Sequence, residues 1–129
     1  MKEITKEWLN FAKADIMSCK NNLHDDFLTN IVAFHAQQTV EKCFKAIVEE
    51  NSLKFQHVHS LFKLHSIIAN YLSFKVDLDQ LEILDSIYTS SRYPGEIGLI
   101  ANGKPSTAQV QEMYEFAKQI YENILQTIK

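Results

Sequence analysis

Glycine and proline are scarce in this sequence of 129 residues, which contains three glycines and two prolines. All five lie in the segment from Pro94 to Pro105, so the first 93 residues contain neither type. Because glycine and proline are the strongest breakers of regular backbone structure, long helices can form on both sides of that segment. Strand signals are almost absent as well, since the segment Ile97-Gly98-Leu99-Ile100 is too short and too rich in glycine to count as a strand. The sequence therefore predicts an all-α protein.

Arginine is the next scarce residue: Arg92 is the single arginine among thirteen basic residues, and the formal net charge is −3. Proteins that coat nucleic acid nonspecifically usually present a basic face, so the composition argues against that class. Arg92 alone offers a planar guanidinium for bidentate contact with phosphate or carboxylate. The composition therefore does not exclude a local anion-binding site at Arg92.

The sequence also lacks long apolar runs. No segment approaches the eighteen or so residues of a membrane helix, and the first residues lack the apolar core of a signal peptide. We therefore expect a cytoplasmic protein without membrane contact. In that compartment the two cysteines, Cys19 and Cys43, are expected to be reduced and buried. The length and a hydrophobic content of 46% fit one domain over residues 1–129.

Apolar residues that recur at steps of three and four predict five helices. The expected bounds are Thr5, as N-cap, to Asn22 or Leu23; Phe27 to Glu50; a start at His59 or Ser60; Asp77, as N-cap, to Thr89–Ser91; and a capping box at Ser106 and Gln109 leading to Ile128. These helices predict a single up-and-down antiparallel bundle. The long connection from Arg92 to Pro105 is either a functional loop or a solvent loop.

Several polar residues border the predicted core. The first helix has a buried stripe of Trp8, Phe11, Ala12, Ile16, Cys19 and Leu23, and Asp15 lies within it. A carboxylate there is costly unless a cation or several donors contact it, so we expect Asp15 to have a partner, as a structural salt link or as part of a site. On the second helix, His35, Gln38 and Lys42 flank the apolar stripe.

Three histidines, His57, His59 and His65, raise the question of a metal site. Their spacing does not match a ligand pattern such as H-E-x-x-H, and no cysteine stands nearby. We expect no metal and no other cofactor.

The segment F-H-A-Q-Q-x-x-E-K-x-x-K-A, from Phe34 to Ala46, resembles the second helix of HEPN (higher eukaryotes and prokaryotes nucleotide-binding) domains. Three further motifs of that family recur here in the same order: Trp8-x-x-x-Ala12-x-x-Asp15, His59-Ser60-Leu61 and Arg92-Tyr93-Pro94. The resemblance implies an antiparallel helical bundle that forms a homodimer. It also implies either metal-independent ribonuclease activity or, in other members, partnership with a small nucleotidyltransferase in a two-gene, toxin-antitoxin-like system.

The ribonuclease members of that family carry an arginine followed, after four to six residues, by a histidine. Arg92 matches the arginine, but Ile97, Gly98 and Leu99 occupy the positions where the histidine would stand. Without a proton carrier an arginine binds phosphate but does not readily cleave. The departure therefore argues against catalysis by the family mechanism.

Our leading interpretation is a noncatalytic module that binds nucleotide or RNA. Arg92 would contact phosphate and Tyr93 would stack on a base or pack, with Asp15, His35, Gln38 and Lys42 lining the adjoining polar pocket. One alternative is a dimeric protein-interaction module without a ligand, in which Arg92 pairs with a carboxylate such as Asp15. Another is a metal-independent ribonuclease with a rearranged base, His35 or His59.

Overall fold

The computed structural model describes residues 1–54, 58–90 and 104–128, without the side chains of residues 88–90. This part of the chain contains no strand and five α-helices: α1 (Glu3–Asn22), α2 (Thr29–Glu50), α3 (Leu61–Ile68), α4 (Leu78–Ser90) and α5 (Thr107–Ile128). The predicted all-α bundle of five helices is confirmed. No described helix combines the length and apolarity that crossing a membrane requires.

Helix α2 is the centre of the bundle and contacts each of the other four helices. Its side chains are buried on several sides, which is typical of a helix surrounded by neighbours. Phe44 and Ile47 are among the largest of its fully buried side chains, and α3 and α4 add Leu61, Leu64, Leu81 and Leu84 to the same core. Burial of this apolar surface is the main driving force for folding.

The first two helices are antiparallel. The backbone N–H of Lys2 donates a hydrogen bond to Oε1 of Glu50 at 3.0 Å, which joins the start of α1 to the end of α2. Near the other end, the thiol of Cys19 contacts the carbonyl oxygen of Val32 at 3.4 Å. Both cysteines are buried and unbridged.

The long helices α4 and α5 continue the alternation of directions that α1 and α2 begin. Lys104, just before α5, lies over the ring of Phe27 at 5.7 Å, so α5 begins at the same end of the bundle as α2. Ser73, between α3 and α4, bonds Thr127 at the end of α5 at 2.7 Å. Because α4 follows Ser73, it starts where α5 and α2 end and runs antiparallel to both.

Most predicted helix starts are confirmed. Ser106 and Gln109 form the reciprocal capping box, at 2.8 and 3.1 Å, and Asp77 accepts hydrogen bonds from the backbone of Asp79 and Gln80 at the start of α4. Thr5 was wrong as an N-cap because α1 already begins at Glu3. Its hydroxyl is fully buried and donates to Oε1 of Glu50.

One core prediction on α1 was wrong. Phe11 is 61% exposed, whereas Ala12 and Cys19 are fully buried. The stripe that faces α2 is narrower than the apolar sequence pattern indicated, and Phe11 lies on its outer flank beside Lys42. A pattern of apolar residues does not by itself reveal where the buried stripe ends.

Candidate functional site

Asp15 binds two basic side chains of α2. Its Oδ1 lies 2.7 Å from Nδ1 of His35, and its Oδ2 lies 2.6 Å from Nζ of Lys42. The expectation that Asp15 has a partner is therefore confirmed. We refer to Asp15, His35 and Lys42 as the Asp15 cluster.

Helix geometry explains why the two basic side chains meet one carboxylate. His35 and Lys42 are seven residues apart, so they lie on the same face of α2, separated by two turns. Asp15 of the antiparallel α1 lies between them, and each carboxylate oxygen takes one partner. Such charge-assisted hydrogen bonds are the strong ones in proteins, so this contact fixes the register of α1 against α2.

The Asp15 cluster is open to solvent on one side. The side chain of Asp15 is only 9% exposed, whereas those of His35 and Lys42 are 28% and 21% exposed. The carboxylate therefore forms the floor and the two donors form the rim. Lys42 also lies 5.8 Å from the centre of the exposed Phe11 ring, which extends the rim with an aromatic surface.

The contact with Asp15 determines what His35 can do chemically. A carboxylate only accepts hydrogen bonds, so Nδ1 of His35 carries the proton between them. The other ring nitrogen, Nε2, has no hydrogen-bond partner among the described residues. Since the side chain is part-exposed, Nε2 can accept a proton or donate one to a bound group.

Gln38 belongs to a different network. Its Nε2 donates to Oε1 of Gln37 at 2.7 Å, and Gln37 in turn donates to Oε1 of Glu41 at 3.3 Å. No hydrogen bond joins Gln38 to the Asp15 cluster within the described residues. The structure thus brings three of the four described candidates together and leaves Gln38 beside them on α2.

Sequence reasoning did not single out the network around Glu41 as a feature of its own. The buried carboxylate of Glu41 accepts a hydrogen bond from Lys45 at 3.0 Å and lies 3.4 Å from Nδ1 of His59. The ammonium of Lys45 lies 5.4 Å above the Trp8 ring. The spacing of four between Glu41 and Lys45 was the signal available, because residues at that spacing are neighbours on a helix.

Arg92 and Tyr93, the remaining candidates, lie outside the described residues, as does His57. Over residues 1–54, 58–90 and 104–128, no three histidine, cysteine, aspartate or glutamate side chains are grouped so as to hold a metal ion.

The sequence matches the family model described as HEPN domain over residues 5–127. Among solved structures, protein TT1696 from Thermus thermophilus is similar, with a TM-score of 0.83 and 19% identity over 98% of this chain and 99% of that one. The protein ST0689, described as an archaeal HEPN homologue, is similar with a TM-score of 0.72 and 22% identity over the full length of both chains. A comparison with curated proteins found no match.

Proposed function

Because this chain belongs to the HEPN domain family, we propose that it is a noncatalytic module that binds the phosphate groups of a nucleotide or of RNA. The Asp15 cluster would supply the donors on one side of the ligand. Arg92 would contact phosphate, Tyr93 would stack on a base, and Gln38 would border the pocket.

The Asp15 cluster is the observation that carries this proposal. Asp15 uses both oxygens within the cluster, so it presents little negative charge to an approaching phosphate. Lys42 has three N–H donors and uses one of them on Asp15. The remaining N–H donors of Lys42 are therefore available to a ligand, and the nearby ring of Phe11 offers a surface for a base.

Helix lengths support the inclusion of Arg92. Asp85 of α4 contacts the start of α3, and Glu41 of α2 contacts His59 just before it, so Asp85 and Glu41 are at similar heights in the bundle. From Asp85, α4 continues five residues to its end at Ser90, about 7.5 Å. Back along α2 in the same direction, His35 is six residues from Glu41, about 9 Å. The end of α4 at Ser90 is therefore at nearly the same height in the bundle as His35. Arg92 follows Ser90 by two residues.

A titration tests the proposal. Fluorescence anisotropy with short labelled RNAs, and competition with nucleotides, should show binding by the wild type and a loss of roughly tenfold in Lys42→Met and in Arg92→Ala, since each removes a charge-assisted contact worth about 1.4 kcal/mol or more. Lys63→Met is the matched control, because Lys63 is exposed and its side chain forms no hydrogen bond or ion pair within the described residues. Equal affinities for all four proteins, or no binding by the wild type, would exclude the phosphate site.

One observation also supports a second candidate, a ribonuclease with a rearranged base. The contact of 2.7 Å between Asp15 and Nδ1 of His35 orients the imidazole and leaves Nε2 without a hydrogen-bond partner among the described residues. A carboxylate that holds a histidine in this way is a recurring arrangement for a general base. His35 would then replace the histidine that is missing after Arg92.

Incubation of the purified protein with structured RNA, with and without a chelator, separates this candidate from the noncatalytic one. Chelator-resistant cleavage that is lost in His35→Ala would support it. His59→Ala serves as the comparison, because the other rearranged base would be His59. Cleavage that persists in both variants would exclude both histidines, and an uncut RNA would leave the noncatalytic module.

We also propose that the protein is a homodimer and that a small nucleotidyltransferase is its partner. Support for an interface comes from exposed apolar side chains. Phe11, beside Lys42, is 61% exposed, and Phe27 and Ile31, four residues apart around the start of α2, are 84% and 44% exposed. Grouped exposed apolar residues commonly mark interaction surfaces.

Light scattering of the wild type and of Phe11→Asp tests the dimer. Copurification with a nucleotidyltransferase encoded beside this protein tests the partner. A wild type that remains monomeric at high concentration would contradict the dimer.

A further inference from the structure

A groove of about 230 Å³ lies between α1 and α5, away from the Asp15 cluster. Helix α1 contributes Lys13 and Lys20, which share a face because they are two turns apart. Helix α5 contributes Tyr114, Lys118 and Tyr121, which also share a face at steps of four and three. Nothing in the proposed function uses these residues.

The groove differs from the rest of the chain in its charge. Three lysines line it and Glu122 is its one acid, so the lining carries two positive charges in excess on a protein of formal net charge −3. Lys13, Lys20 and Lys118 form no ion pair or hydrogen bond through their side chains with any described residue. Like charges held around one concavity repel each other and attract a counter-ion of opposite sign.

The floor of the groove is apolar and aromatic. Ile16 and the ring of Tyr114 are almost fully buried there, while Met17 is 52% exposed. An exposed methionine next to an aromatic surface suits contact with a second ring, because its thioether is flexible and polarizable. Burial raises the pKa of Tyr121, so its hydroxyl stays protonated and can donate a hydrogen bond.

This groove is separate from the Asp15 cluster. At 100° per residue, Lys13 and Lys20 lie about 160° and 140° around α1 from Asp15. The two places therefore use different faces of α1 and share no lining residue, so their ligands can be tested with separate substitutions.

We propose that the groove between α1 and α5 binds a small aromatic anion, a flat ring joined to a phosphate or carboxylate group. The ring would lie on Met17 between the tyrosines, and the anionic group would lie among the lysines. Pockets that enclose drug-sized ligands measure roughly 300–1,000 Å³. A groove of about 230 Å³ accommodates one ring system and one anionic group and leaves part of the ligand in solvent.

Nuclear magnetic resonance titration of the full chain tests this site with four probes. Adenosine monophosphate and indole-3-acetate combine a ring with a phosphate and with a carboxylate, whereas adenosine and inorganic phosphate each supply one half. We expect at least one of the combined probes to shift backbone resonances of α1 and α5 around Lys13 and Lys118, and each half alone to bind at least tenfold more weakly. The combined probe that binds more tightly identifies the anionic group.

Variants then assign the binding to the groove. Lys118→Met should weaken the binding of the combined probe roughly tenfold. Lys63→Met, which replaces an exposed lysine on α3, should leave this affinity unchanged. The resonance shifts on α1 and α5 should persist in Lys42→Met, because Lys42 does not line the groove. The proposal is overturned if no combined probe shifts α1 and α5, if Lys118→Met and Lys63→Met bind equally, or if the shifts disappear in Lys42→Met.

Discussion

The imidazole ring of His65 on α3 lies against the ring of Phe44 on α2, with the two centroids 6.2 Å apart. Burial in this apolar contact lowers the pKa of His65 from its ordinary value of 6.5, because the charged ring loses hydration. The unfolded chain therefore binds a proton at a higher pH than the folded protein does. The neutral His65 ring therefore contributes to stability above about pH 6.5, and this contribution is lost as the pH falls through the lower pKa that His65 has in the folded protein.

We expect His65→Phe to reduce this acid dependence. The free energy of unfolding, measured in urea at intervals between about pH 7 and pH 5, should fall less steeply in the variant than in the wild type. His24→Phe is the matched control, because His24 is exposed. An unchanged slope in His65→Phe would show that this imidazole does not contribute to the acid sensitivity.

Asp85 of α4 caps the start of α3 across the bundle. Its carboxylate accepts hydrogen bonds from the backbone of Leu61 at 2.7 Å and of Phe62 at 3.3 Å. Asp85→Ala should therefore lower the free energy of unfolding by about 1–2 kcal/mol, as the loss of a helix cap does. Glu82→Ala, an exposed acid on the same helix, should change it by less than about 0.5 kcal/mol. Equal effects of the two substitutions in urea denaturation would contradict the role of Asp85 as a cap.

The pair formed by Asp15 and Lys42 should show energetic coupling. Removing one partner leaves the other charge poorly compensated in a site that is mostly shielded from water. A double-mutant cycle with Asp15→Asn and Lys42→Met should give a coupling free energy of roughly 1–3 kcal/mol. A control cycle of Asp15→Asn with Lys63→Met should give almost none. A coupling near zero for the first cycle would mean that solvent screens the pair.

The two thiols should be inert in the folded protein. Burial raises the pKa of Cys19 to about 12 and raises the pKa of Cys43 further, so the reactive thiolate is almost absent at neutral pH. We expect Ellman's reagent to label neither cysteine in native buffer, and to label both once urea unfolds the chain. Cys19→Ala and Cys43→Ala identify which thiol reacts. Rapid labelling without denaturant would contradict the burial of that thiol.

The family and most helix starts could be predicted from the sequence because they depend on residues that are close together along the chain. The reciprocal bonds of Ser106 and Gln109, and those accepted by Asp77, connect residues two or three positions apart. The motif from Phe34 to Ala46 likewise identified the family that matches residues 5–127. Local spacing also revealed that Asp15 lay within a buried stripe and required a partner, because the cost of a bare buried carboxylate does not depend on the fold.

The sequence by itself thus determined the helices, the caps of α4 and α5, and the need for charge compensation at Asp15. The tertiary structure decided which side chains met that need, because His35 and Lys42 are 20 and 27 residues away along the chain and approach only when α1 and α2 pack antiparallel. The same packing left Phe11 exposed and brought three lysines of α1 and α5 around one groove. Hydrophobic periodicity records which residues prefer burial, whereas the limits of a buried face and the neighbours across it depend on how the helices fit together.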